Sequence, residues 1–434
     1  MRIDGLRIDD QVRNERKPLA PIHSRTLSNG LVLLAEPMPH VQSAAFTLLI
    51  PAGAVHEPAD GGGTATMVAE WISRGAGSYG SRELIEALDD LGVSHSESAS
   101  TASTAISATT LGSNLVPALS LFADMILRPT LDDEDFDPIR DLAYQSLLSL
   151  EDSPDSLAMV ELRKRFYPNP WGRCTAGDRA SLEAANPDSL RAFWRSRFRP
   201  NGAILGIAGA IDWPVVESTI ERLLGSWEPG AADEPAPAPT ARRNSTDHVL
   251  KETNQTQVTL ALPSVVLRDP EYYPARASAA ILGGYSSSRF FTEVREKRGL
   301  CYSVSASYEA HKNLAGLVCY AGTAPERAQE TLDVMAAELK RLRDRGVDAE
   351  ELDMMRAGLK TTLIMQQESS MSRSAALAAD WFHLERVRSL AEIAQAMDAL
   401  TPETVSSHAR NLDLSQATVL TLGPAPLAIP DLEN

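Results

Sequence analysis

The chain has 434 residues, of which 43% are hydrophobic and 23% charged, as in globular proteins long enough to form two or three domains. Its formal net charge of −17 argues against a nucleic-acid partner, because nucleic acids are bound by basic surfaces. No run of ~18 apolar residues predicts a membrane-spanning helix, and the charged N-terminus lacks the apolar segment of a signal peptide. Three cysteines without C-x-x-C spacing indicate a reducing compartment, so we expect a cytoplasmic protein.

The N-terminal half alternates strand and helix patterns after a charged stretch, residues 1–20, that we expect to be a mobile arm. Asn29-Gly30 predicts a tight turn between two strands. Ser81 is predicted to cap a helix with Leu84, Ile85, Leu88 and Leu91 on one stripe and Gly92 at its end. The remaining predicted elements are a strand at 44–50, a helix between Gly62 and Gly75, strands within 94–110, helices at 115–127 and 134–150, and a buried strand at 203–210.

A proline-rich stretch divides the chain into two nearly equal parts. Residues 228–247 contain four prolines and no apolar period, which is typical of an extended linker. We therefore expect an N-terminal domain at 21–227 and a C-terminal domain at 248–430.

Short matches in the same order indicate that the two parts arose by duplication. Residues 47–51 (TLLIP) match 259–263 (TLALP) at an offset of 212, and 186–188 (NPD) resemble 401–403 (TPE) at an offset of 215. Two further pairs, Glu57-Pro58 with Asp269-Pro270 and 203–206 with 417–420, follow similar offsets. The predicted fold class is therefore α+β, with two homologous domains that each pack helices against a mainly antiparallel sheet.

The stretch from Gly62 to Gly75, GGTATMVAEWISRG, resembles the zinc helix of the pitrilysin/insulinase peptidases, the inverzincins, whose hallmark is H-x-x-E-H. The most specific match to this family is Ser287-Ser288-Arg289 followed by 294–303, VREKRGLCYS. The resemblance covers nearly the whole chain and is greatest for the bacterial processing-peptidase branch. It implies a two-domain subunit that forms half of a clamshell-shaped dimer.

This resemblance also implies where a metal site would lie. The first His of the family motif falls on Thr66, the general-base Glu on Ala69 and the second His on Glu70. The third ligand, a Glu about 76 residues further on, falls on Ser146. Since a catalytic zinc needs three protein ligands, we expect no metal in this chain and a zinc ion in a partner subunit.

A second set of family residues is retained. The family carries an Arg and a Tyr seven residues apart that contact the substrate and its tetrahedral intermediate, and these fall on Arg295 and Tyr302. An Arg offers a fork of donors to a peptide carbonyl, and a Tyr hydroxyl can stabilise an oxyanion. The residues alone also allow a simpler interpretation, in which Arg295 is a surface charge and Tyr302 a core-packed strand residue.

The resemblance therefore implies the metal-free subunit of a heterodimeric zinc peptidase. Its homologous partner, with an intact H-x-x-E-H, would supply the zinc-bound water and the base for hydrolysis of unfolded peptides. An inert scaffold or peptide-binding relative remains the alternative, and it predicts no use of the Arg/Tyr pair. An independent hydrolase is a third possibility, but no motif in the sequence supports it.

Overall fold

The computed structural model of the protein describes residues 21–230 and 245–432. The predicted N-terminal arm and residues 231–244 of the predicted linker lie outside these ranges. Residues 245–247, which the sequence pattern assigns to the end of the linker, form the start of a strand. None of the helices in the described ranges is long and apolar enough to cross a membrane.

The N-terminal half contains the predicted hairpin, strands and helices close to their expected bounds. Its strands are β1 (His23–Thr26), β2 (Val32–Pro37), β3 (Ser43–Ile50), β4 (Gly75–Ala76), β5 (Tyr79–Gly80), β6 (Ser94–Ala99), β7 (Thr104–Leu111) and β8 (Ile204–Gly209). Its helices are α1 (Thr64–Trp71), α2 (Ser81–Asp90), α3 (Leu115–Leu127), α4 (Asp133–Glu151), α5 (Pro154–Phe166), α6 (Arg179–Ala184), α7 (Pro187–Arg197) and α8 (Trp213–Leu224).

The C-terminal half repeats this alternation with fewer elements. Its strands are β9 (Ser245–Leu250), β10 (Thr256–Pro263), β11 (Cys301–Ala310), β12 (Ala315–Thr323) and β13 (Thr418–Gly423). Its helices are α9 (Tyr272–Gly283), α10 (Ala328–Arg345), α11 (Ala349–Gln366), α12 (Ser370–Leu384), α13 (Leu390–Asp398) and α14 (Pro402–Arg410). A π-helical turn, Phe291–Glu296, lies between α9 and β11.

The two main sheets have the same topology. The first has the order β1-β2-β8-β3-β7-β6, and the second has the order β11-β12-β10-β13-β9. When the second order is reversed and β1 is left out of the first, the two strand orders match one to one, from β2 with β9 to β6 with β11. In each sheet one pair, β2 with β8 or β9 with β13, is parallel, and the other pairs are antiparallel. The predicted α+β class with two homologous domains is confirmed.

The sequence matches that suggested duplication fall on equivalent structural positions. Residues 47–51 and 259–263 lie at the ends of β3 and β10. Asn186 and Thr401 are the N-caps of α7 and α14, and each is followed by a proline in the first turn. Both side chains accept a backbone N–H three residues on, which satisfies a donor that the first helical turn leaves free. The matching segments therefore mark the same strand end and the same helix start in both domains.

Helix α2 differs in detail from its predicted form. Its N-cap is Gly80 rather than Ser81, and the Glu83 carboxylate accepts the Gly80 N–H at 3.0 Å. Of the predicted stripe, Leu84 and Leu88 are buried, whereas Ile85 is 49% exposed. This ten-residue surface helix packs on its neighbours through a narrow stripe of residues four apart, Leu84 and Leu88. Ile85 lies beside this stripe and faces solvent.

The two domains exchange one helix each. Helix α12, from the C-terminal half, packs across β2, β8 and β3 of the first sheet. Helix α5, from the N-terminal half, packs across β10 and β13 of the second sheet. These helices occupy equivalent places in the duplicated order, so each sheet is completed by the other domain.

Buried polar contacts hold α12 on the first sheet. Arg373 of α12 donates from Nε and Nη2 to the Glu36 carboxylate of β2 at 2.9 and 2.6 Å, and their side chains are only 3% and 5% exposed. The hydroxyls of Thr47 and Ser374 hydrogen-bond at 3.0 Å. Gly206 of β8 lies beneath them, and a Cβ atom there would come within 2.4 Å of the Ser374 carbonyl oxygen. Glycine is therefore required at this close approach of helix and strand.

Candidate functional site

Helix α1 begins at a capped turn. Gly63 precedes it in a left-handed conformation with φ of 88°. The buried Glu57 carboxylate accepts the backbone N–H groups of Gly63 at 3.3 Å and Ala65 at 2.8 Å. A side-chain acceptor at this position satisfies N–H groups that the first turn of the helix leaves without a partner. Glu57 therefore fixes the start of the helix on which the sequence resemblance places the metal-binding positions.

The four positions that the sequence resemblance assigns to the family's metal ligands and base make structural contacts. The half-buried Thr66 hydroxyl donates to the carbonyl of Thr175 at 2.6 Å. Ala69 is buried, and the Glu70 carboxylate is paired with Arg74, whose Nε lies 3.1 Å from it. Ser146, on the exposed side of α4, donates to the Leu142 carbonyl of its own helix at 3.0 Å. Each polar group is thus satisfied by a neighbouring residue.

This donor set does not fit a catalytic zinc ion. A hydroxyl, a methyl group and a second hydroxyl offer no imidazole or carboxylate, and the remaining carboxylate is already ion-paired. Across residues 21–230 and 245–432, no group of three or more His, Cys, Asp or Glu side chains is positioned to hold a metal ion.

Arg295 lies in a π-helical turn. The backbone N–H of Lys297 bonds to the carbonyl of Thr292 at 2.9 Å, five residues back, which widens the turn. Such turns are rare and are frequent at functional sites. The Arg295 guanidinium carbon lies 4.7 Å from the ring centroid of Phe291, one turn earlier, and 4.9 Å from that of Tyr302. The guanidinium is therefore in contact with two aromatic rings.

Tyr302 lies at a β-bulge in the edge strand β11. Cys301 pairs with Thr323 and Ser303 pairs with Gly322. The step of two residues along β11 therefore lies opposite a step of one residue along β12. The extra residue, Tyr302, has no partner across the ladder, and it is 79% exposed. Bulges redirect side chains in this way and are common beside active sites. The alternative in which Tyr302 packs in the core does not agree with this exposure.

The hydrogen-bonding groups of the pair are available. Within the described part of the chain, no hydrogen bond or ion pair involves the Arg295 guanidinium or the Tyr302 hydroxyl. The neighbouring Cys301 is not an alternative nucleophile, because burial raises the pKa of its thiol to about 11 even though Arg295 opposes the shift. The arrangement thus offers planar donors and a phenol to a polar ligand.

Sequence reasoning identified Arg295 and Tyr302, which the structure brings together, but it missed three residues around the two sites. Phe291 lies four residues before Arg295, a helical spacing that could have indicated the contact. Glu57 lies eight residues before Ala65, and Thr175 meets Thr66 across 109 residues of chain. No local signal marks these last two contacts.

Glu57 provides a test of how α1 is anchored. Burial raises its pKa from the ordinary value of 4.5 to about 7, against the opposing effect of its two backbone hydrogen bonds. Between pH 4.5 and pH 7 the unfolded chain loses this proton and the folded chain keeps it. The contribution of Glu57 to the free energy of unfolding is therefore full below pH 4.5 and is lost as the pH rises to about 7. The expected loss is roughly 2–3 kcal/mol.

In Glu57→Gln, the amide is neutral at every pH and keeps an acceptor oxygen. The free energy of unfolding of the variant minus that of the wild type, measured with urea, should increase from pH 5 to pH 8 by most of that amount. A difference that stays constant across this range would contradict the buried, protonated carboxyl.

Comparisons with known proteins identify the family. Residues 32–179 match the model of "Insulinase (Peptidase family M16)", and residues 184–359 match that of "Peptidase M16 inactive domain". An uncharacterized zinc protease of Bacillus subtilis is 26% identical over 401 residues, covering 92% of this chain and 98% of that protein. An uncharacterized zinc protease of Mycobacterium tuberculosis is 27% identical over 419 residues, covering 95% and 96%.

Solved structures agree on the fold. The crystal structure of a peptidase M16 inactive domain from Pseudomonas fluorescens matches with a TM-score of 0.87 at 21% identity, covering 95% of this chain and 100% of that one. A protease from Helicobacter pylori matches with a TM-score of 0.86 at 20% identity, covering 94% and 100%. With two adjacent family models, near full-length relatives and two duplicated α+β domains, the chain belongs to the insulinase/pitrilysin-type peptidase family M16.

Proposed function

We propose that this chain is the non-metal-binding subunit of a heterodimeric zinc metallopeptidase that hydrolyses unfolded peptides. A single observation carries the proposal: Arg295 and Tyr302 lie in contact with their hydrogen-bonding groups available, while the positions of the family's metal ligands carry groups that cannot hold zinc. In this proposal the chain has lost the metal ligands and the base, and it retains the donors that contact the substrate.

The donors of the pair suit a peptide substrate. The Arg295 guanidinium offers a rigid fork of N–H groups to backbone carbonyl oxygens of an extended peptide. The exposed Tyr302 hydroxyl can donate to a carbonyl oxygen that acquires negative charge during hydrolysis. Both groups act on the substrate alone, so they can serve a metal and base that belong to another chain.

The partner in this proposal is a homologous two-domain subunit with an intact H-x-x-E-H. It supplies the metal and the base, and this chain closes the chamber as the other half of a clamshell and adds substrate contacts. The relatives in Bacillus subtilis and Mycobacterium tuberculosis are named zinc proteases, and near full-length similarity to them supports a peptidase role for such a complex.

The test is an activity titration. The purified chain should not cleave an unfolded fluorogenic peptide, and neither should a small amount of the H-x-x-E-H subunit alone. Adding this chain to that subunit should produce chelator-sensitive hydrolysis that reaches its maximum at a 1:1 ratio. Activity of the H-x-x-E-H subunit that is full without this chain, or chelator-sensitive activity of this chain alone, would contradict the proposal.

A further inference from the structure

Two adjacent phenylalanines at the start of the π-helical turn have different surroundings. Phe290 is fully buried in the core of the C-terminal domain, among side chains that include Val294 and Leu300. Phe291 is half-buried, outside that core, and its ring lies under the guanidinium of Arg295 at 4.7 Å. The second phenylalanine therefore contributes little to the core and has a specific partner.

Two aromatic rings contact the guanidinium of Arg295. Phe291 and Tyr302 approach its carbon at 4.7 and 4.9 Å, from a helical turn and from a strand bulge respectively. Arginine prefers to stack its planar group on aromatic faces, and this leaves the N–H groups at the edge of the plane free to donate. Contact with two rings thus restricts the rotation of a long side chain without using its hydrogen-bonding capacity.

From this geometry we infer that Phe291 is a positioning residue, which orients Arg295 for substrate backbone in the chamber. The inference rests on the function proposed for the Arg/Tyr pair and adds a residue to it. Without the Phe291 ring, Arg295 keeps its charge and its contact with Tyr302 but samples more rotamers. Substrate binding then costs more conformational entropy, and the effect falls on KM.

The direct test uses the isolated full-length chain with ¹⁵N-labelled arginine. The Nε–Hε signal of Arg295, assigned by its loss in Arg295→Lys, should show a ring-current displacement in the wild type. Phe291→Leu should remove much of that displacement, and Phe291→Tyr should retain it, because tyrosine restores a ring. Tyr79→Leu, which removes a part-exposed aromatic side chain from the β4–β5 hairpin, is the control and should leave the signal unchanged.

Kinetics in the heterodimer give the functional readout. Phe291→Leu should raise KM about two- to fivefold with kcat unchanged, which corresponds to the loss of one exposed cation–π contact. In an Arg295→Ala background the same change should have no further effect on KM, because the group that it positions is absent. Phe291→Tyr should restore wild-type KM.

The outcomes separate this inference from the proposed function. An Arg295 signal and a KM that are the same in Phe291→Leu and wild type, while Arg295→Ala raises KM, would overturn the inference and leave the proposed function standing. Unchanged kinetics in Arg295→Ala would overturn the proposed function and, with it, any role of Phe291 in substrate binding. A changed signal with a raised KM supports both.

Discussion

Replacing Tyr302 by Phe should lower kcat of the assembled heterodimer by about 10²–10³, or roughly 3–4 kcal/mol, with little change in KM. The hydroxyl would act mainly when the carbonyl oxygen of the substrate becomes charged, and losing one donor of this kind has that effect in other hydrolases. The ring remains in Phe, so its contact with Arg295 and the shape of the bulge are retained. Steady-state kinetics on an unfolded peptide measure the effect.

Arg295→Ala is the companion variant. The guanidinium of Arg295 would hold the substrate before reaction, so its removal should raise KM as well as lower kcat. Light scattering on both variants must show an intact 1:1 complex. An intact complex in which Tyr302→Phe has wild-type kcat would show that this chain contributes architecture only, as the scaffold alternative predicts.

Replacing Arg373 by Ala should lower the free energy of unfolding by about 3–5 kcal/mol, because it leaves the Glu36 carboxylate buried without its partner. Each sheet is covered by a helix from the other domain, so we expect the stability of both domains to fall together. Urea unfolding followed by circular dichroism should show one transition at a lower midpoint.

Arg82→Ala is the matched control, since Arg82 pairs with Glu86 on the exposed face of α2 and surface pairs contribute little. Its change should stay within about 0.5 kcal/mol. Replacing both members of the buried pair, as in Glu36→Leu with Arg373→Met, should recover much of the loss, because no unpaired charge remains. A loss below about 1 kcal/mol in Arg373→Ala would contradict the importance of this contact.

The sequence predicted the elements and the duplication well, because both depend on local patterns. Periodic apolar residues, the Asn29-Gly30 turn and the proline-rich stretch at 228–247 each act over a few residues. The exchange of α5 and α12 was not predictable in this way. It depends on contacts such as Glu36 with Arg373, which join residues 337 positions apart.

The candidate site was predicted by resemblance and only partly by residue chemistry. Arg295 and Tyr302 are seven residues apart, but the π-helical turn that contains Arg295 and the β-bulge that contains Tyr302 determine that they touch. Neither irregularity has a clear sequence signature. The exposed fraction of Tyr302 argues against the core-packed alternative, and only the structure provides that quantity.

Native mass spectrometry tests the central claim most directly. This chain should have the mass of its 46.9 kDa polypeptide without zinc when it is purified alone. With its H-x-x-E-H partner it should form a species with one copy of each subunit and one zinc ion. A zinc ion retained stoichiometrically by this chain alone, or the absence of any mixed species at micromolar concentration, would contradict the account.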